Sequence, residues 1–128
     1  MEARFWTIGE VRQSVLELVR KYYDYETASA CGRLIDELVA WSRAKGLVEK
    51  KHFGKSPVMK FAPAEGMNEA WAIYCEHRQG AGPKLSLVPG RRDHGLELRE
   101  IVERLCGPPE GGWDGKLNRT GFVGDLLT

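Results

Sequence analysis

The sequence predicts a mainly helical α+β domain, and three observations carry that class. Apolar residues recur at three- and four-residue spacings over 8–22 and again over 34–41, the signature of amphipathic helices. The period then changes to two on either side of a Gly-Lys-Ser-Pro turn at 54–57. The chain has 128 residues, 42% hydrophobic and 29% charged, the size and composition of a single globular unit rather than a disordered chain. No apolar run approaches the ~18 residues of a membrane helix. The start, MEARFWTIGEVRQ, has neither the apolar core nor the cleavage site of a signal peptide. Three well-separated cysteines, Cys31, Cys75 and Cys106, suit buried thiols in a reducing cytoplasm better than a disulfide framework.

The first helix is expected at about 8–22, with Ile8, Val11, Val15, Leu18, Val19 and Tyr22 on one face. Thr7 and Glu10 form a capping box at its start, and Phe5 is the candidate staple against Val11. After the polar and aromatic stretch YYDYETASA, Leu34, Ile35, Leu38, Val39 and Trp41 form a second apolar arc, with Arg33, Asp36, Ala40 and Arg43 pointing the other way. Gly32 is either a break in this region or a residue within one longer helix. Gly46 after Lys45 is a helix stop. Residues 47–53 and 58–61 read as the two arms of a β-hairpin, and 67–77 as a third helix with Met67, Ala70, Trp71, Tyr74 and Cys75 on one face. QGAGP at 79–83 is a flexible breaker. Leu85–Val88 is a short strand, and Asp93 caps a fourth helix carried by Leu96, Leu98, Ile101, Val102 and Leu105. The Gly- and Pro-rich stretch after Cys106 cannot continue a helix. The expected division is one domain over 1–106 and a C-terminal arm over 107–128.

The stretch LIDELVAWSRAKGLVEKKHFGKSPVMKFAP resembles the end of a winged helix-turn-helix domain, where a helix closes on Lys-Gly-Leu-Val and the chain enters a β-hairpin wing. The resemblance covers about residues 7–62. It implies a recognition helix beginning near Arg33, which requires the helix before it to be a short turn ending near Cys31. It also implies a winged-helix-like core extended by two further helices. Likeness of fold says little about function on its own.

Charge bears on function more directly. The net charge of +1 excludes a strongly cationic chain. Yet between residues 43 and 60 six basic residues face one acid, Glu49, so this window is +5 and the remainder −4. The candidate nucleic-acid contacts are therefore Arg43, Lys45, Lys50, Lys51, His52, Lys55 and Lys60, with Thr27, Ser29 and Arg33 approaching a groove. Lysines on a ribbon can hold phosphates and release counterions, although Asp36 and Glu37 on the helix oppose such contact. The expected function is a small regulator of transcription or replication that binds duplex DNA without catalysis. Such regulators commonly pair as homodimers, for which helices 67–77 and 94–105 are available.

The alternative is a protein–protein module, an adaptor or inhibitor of the kind phages encode, with Trp113 and Phe122 on the arm as candidate partner contacts. Trp41 and Trp71 are expected in the core, whereas Trp6 and Trp113 lie outside the periodic patterns. No enzyme motif is present: there is no Gly-x-Ser-x-Gly, no His-Glu-x-x-His and no paired-cysteine spacing. Cys75 and His77, two apart on different faces of the expected helix, make no zinc site, and no cofactor is expected.

Overall fold

The computed structural model describes residues 3–78, 82–89 and 92–106. The elements run β1 (Arg4–Trp6), α1 (Ile8–Tyr22), α2 (Tyr25–Ala44), β2 (Val48–Glu49), β3 (His52–Gly54), β4 (Val58–Ala62), β5 (Trp71–Arg78), β6 (Gly82–Pro89) and α3 (Arg92–Cys106). This is an α+β arrangement with more β-structure than the sequence predicts. Strands β2, β4, β5 and β6 form an antiparallel sheet in that order, and β1 pairs with β3 in a separate two-stranded ribbon. Among the described residues, no helix is long and apolar enough to cross a membrane.

Helix α1 starts and ends where its sequence says. The Thr7 hydroxyl accepts the Glu10 N–H at 3.1 Å, and the Glu10 carboxylate accepts the Thr7 N–H at 3.1 Å. This reciprocal cap satisfies two donors that have no partner within the helix. The residue before the cap is Trp6, which is buried in the same core as Val11; Phe5, the expected staple, is turned to solvent.

Helix α2 departs from the expected short turn ending near Cys31 and the expected helix start near Arg33. It is one helix of 20 residues, with no turn near Cys31 and no separate start near Arg33. The Asp24 side chain caps it by accepting the Thr27 N–H at 2.8 Å. Gly32 is thus a residue within a longer helix. Gly46, at φ +77°, ends it in the left-handed conformation that glycine adopts without strain.

The segment 67–77 is not a helix. Residues 71–78 form β5, hydrogen-bonded to β4 on one side and β6 on the other. Four consecutive residues, Ala70 to Ile73, are buried. A strand buried on both faces loses its alternation of apolar and polar residues, so Ala70, Trp71 and Tyr74 can imitate a helical spacing. The expected short strand at 85–88 is longer, spanning 82–89, and α3 begins at Arg92, which places Asp93 inside its first turn rather than at the cap. Of the flexible breaker expected at 79–83, Gly82 and Pro83 belong to β6 and 79–81 lie outside the described residues, as does the arm at 107–128 with Trp113 and Phe122.

The helices and the sheet share one core. Val11, Val15 and Val19 of α1, Leu34, Ile35 and Leu38 of α2, Phe61 and Trp71 of the sheet, and Leu98 and Val102 of α3 are all buried in it. Ser42 is the buried polar side chain among the described residues. Its hydroxyl donates to the Leu38 carbonyl at 2.7 Å and accepts the Trp71 indole N–H at 2.7 Å, so neither polar group is stranded. Trp41, expected in the core, is half-buried at its edge and donates to Glu97 of α3 at 2.9 Å. Both elements suggested for a homodimer are packed into this fold on at least one side. One is the sheet strand β5, and the other, α3, turns Leu98, Ile101 and Val102 into the core.

Candidate nucleic-acid interface

The expected hairpin pairing is present at its base and is then abandoned. Val48 and Glu49 of β2 lie opposite Ala62 and Phe61 of β4, and the Lys50 N–H extends this ladder to the Lys60 carbonyl at 2.9 Å. The chain then leaves β4. Residues 52–54 pair with the N-terminal strand instead, Arg4 opposite Gly54, Phe5 opposite Phe53 and Trp6 opposite His52. The Trp6 indole N–H closes the ribbon by donating to the Gly54 carbonyl at 2.9 Å. Residues 54–57 are therefore not a simple hairpin turn.

Because side chains alternate along a strand, the ribbon has two faces. Trp6 and the half-buried His52 belong to the inner one. Burial, and then the positive charge of Lys60, push the His52 imidazole below its ordinary value. It is uncharged near neutral pH and adds no cation to the surface. The outer face carries Phe5 and Phe53, 63% and 58% exposed, their ring centroids 5.0 Å apart and their planes tilted by 57°. Lys51 and Lys55 are exposed and stand two residues before and after Phe53 in the chain; Lys55, in the bend after β3, borders a hollow with Trp6, Leu18 and Lys21. Neither Lys51 nor Lys55 has an ion pair among the described residues. Arg4 lies over the Trp6 ring at 4.1 Å and is paired with Glu10 at 2.6 Å, which fixes the ribbon to the start of α1.

The other sequence-predicted contacts do not join this surface. Lys45 is paired with Glu97 of α3 at 3.0 Å. Lys50 is paired with Glu69 at 3.5 Å and also donates to the Met67 carbonyl at 3.1 Å. Lys60 is half-buried near Glu69. A hydrogen bond to its own backbone, and then the charges of Lys60 and Lys50, hold the Glu69 carboxyl below the usual range against the opposing effect of burial. Arg43 is exposed in the last turn of α2. Thr27 donates its hydroxyl to Asp24 at 2.6 Å, so it serves the cap of α2. Ser29 and Arg33 line a cleft between α1 and α2. The segregated charge in the sequence is thus distributed over separate places, and part of it is neutralised by Glu69 and Glu97.

The acids that seemed to oppose contact are themselves occupied. Asp36 receives Arg12 through two hydrogen bonds, and Glu37 pairs with Arg104 at 3.3 Å. The residues missed in the sequence are Phe5 and Phe53. Their signal was the alternation Lys51-His52-Phe53-Gly54-Lys55, although its partner strand, three residues long, is too short to show a period. Among the described residues, no group of three or more His, Cys, Asp or Glu is placed to hold a metal ion. With Cys75 on a strand, the argument from opposite helix faces no longer applies to that position. Comparison with family models, curated proteins and solved structures finds no match.

Proposed function

We propose that this chain is a non-catalytic nucleic-acid-binding regulator that uses the outer face of the β1–β3 ribbon to hold a single-stranded segment. The observation that carries this reading is the exposed Phe5–Phe53 pair, with the exposed Lys51 and Lys55 two residues from Phe53 in the chain. Flat rings accept unpaired bases of any sequence, each stacked base contributing about 1–3 kcal/mol, while neighbouring lysines follow the phosphates. The lysines alone would bind weakly and without sequence preference. The sequence expectation of duplex DNA rested on a basic wing together with a recognition helix, and the continuous α2 supplies less support for that helix than the ribbon does for an unpaired strand.

The test is fluorescence anisotropy with a labelled oligothymidylate of about 12 nucleotides, within the usual site sizes for such surfaces, repeated at several salt concentrations and against a duplex. Phe53→Ala should weaken single-strand binding about tenfold. Lys51→Ala with Lys55→Ala should flatten the log–log salt slope by about 1.4, since each single-strand phosphate contact contributes roughly 0.7. Equal binding of duplex, with Phe53→Ala silent, would return the contact to duplex phosphates. No binding at low salt would reject nucleic acid altogether. That last outcome favours the second reading, a protein-partner module, because exposed aromatic pairs are also the usual anchors of protein interfaces.

A further inference from the structure

We infer that the cleft between α1 and α2 is a phosphate-binding site, independent of the ribbon. The cleft has a volume of about 240 Å³ and gathers Arg12 and Arg20 of α1 with Tyr25, Ser29, Arg33 and Asp36 of α2. Three guanidiniums face one carboxylate, an excess of two positive charges within one small concavity.

The carboxylate is already committed. Arg12 Nε donates to Asp36 Oδ1 at 2.9 Å and Arg12 Nη2 to Asp36 Oδ2 at 3.0 Å, the fork-on-fork arrangement that holds both side chains in one orientation. Gly32 gives that guanidinium room to lie against α2. A Cβ at position 32 would stand 3.1 Å from Arg12 Nη2 and 3.6 Å from the Leu16 methyls. Arg20 and Arg33 are not spent in this way. Among the described residues neither takes part in a hydrogen bond or an ion pair, and both are exposed at the cleft. Two guanidiniums without acids, lining the same cleft as Ser29 and Tyr25, match a phosphomonoester dianion in charge and in the type of donor. A carboxylate would balance only one of them.

The site is separate from the ribbon because α1 stands between them. Positions 12, 16 and 20 recur every four residues on one side of the helix. Ser14, Glu17, Leu18 and Lys21, which border the hollow beside Lys55, lie on the other side. The dianion has two sources of the same chemistry, free inorganic phosphate or the terminal phosphate of a strand.

The test uses the full chain. Inorganic phosphate is titrated calorimetrically, and a 5′-phosphorylated dinucleotide is compared with its 5′-hydroxyl counterpart. Saturable binding of inorganic phosphate supports the site with the free ion as source. Binding of the phosphorylated dinucleotide with no response to its hydroxyl form supports it with a chain end as source. Arg20→Gln and Arg33→Gln should each weaken binding about tenfold or more. Asp36→Asn should strengthen it, since the change frees Arg12 and removes the competing negative charge. A purely structural role for these side chains would not raise affinity in that variant. Failure of both probes to bind overturns the inference, as do glutamine variants that bind like the parent while melting normally, or a loss of affinity in a folded Asp36→Asn chain.

Discussion

Among the described residues, two cross-strand aromatic pairs, one in each sheet, meet opposite fates. Phe61 of β4 and Trp71 of β5 lie directly opposite one another with ring centroids 5.3 Å apart, and they are 1% and 0% exposed. Phe5 of β1 and Phe53 of β3 are also directly opposite, 5.0 Å apart, yet 63% and 58% exposed. The local device is the same, since facing aromatics stabilise an antiparallel pair wherever they occur. The difference lies in what stands above the rings. The helices cover the first pair, and α2 even sends Ser42 to receive the Trp71 N–H. Nothing among the described residues covers the second. The same pairing makes a core in one sheet and an exposed face in the other.

The largest expected effect breaks the buried pair. Trp71→Ala should cost about 3–5 kcal/mol in urea unfolding, the usual result of emptying an aromatic site in a packed core. A loss below about 1 kcal/mol would mean that the helices do not close over β5. Ser42→Ala comes next, at about 1–3 kcal/mol, because it leaves the buried indole N–H without its acceptor. An unchanged melting temperature would show that water replaces the hydroxyl. The smallest effect belongs to the exposed pair. Phe53→Ala should change stability by less than about 1 kcal/mol, the range of a cross-strand contact in the open. A penalty approaching that of Trp71→Ala would make the ribbon part of the core and remove it as a surface for ligand.

The helical half is legible in the sequence. The boundaries of α1, its capping box, the exposed set Arg33, Asp36, Ala40 and Arg43, and the stop at Gly46 all follow from spacing and cap chemistry. A helix reads locally because its periodicity and both its ends lie within a short stretch of chain. The β-half is less legible. β5 is buried on both faces and carries no alternation, so it passes for a helix. β1 and β3 are three residues each, and their pairing joins positions nearly fifty residues apart. Of the candidate contacts, Lys51 and Lys55 stay exposed and without an ion pair among the described residues. Lys45 and Lys50 are diverted to Glu97 and Glu69, and no reading of linear charge could anticipate those partners.

The sequence by itself determined the extent of α1, the stop of the second helix at Gly46, and that the lysines would cluster along one stretch of chain. Tertiary structure alone decided which of those lysines stay unpaired, that Trp6 goes inward while Phe5 goes outward, and that Arg12, Arg20 and Arg33 border one cleft. The physical reason is range. Helix periodicity and caps are set by neighbours within about four residues. Strand partners, ion pairs and exposure are set by residues that only the folded chain brings together.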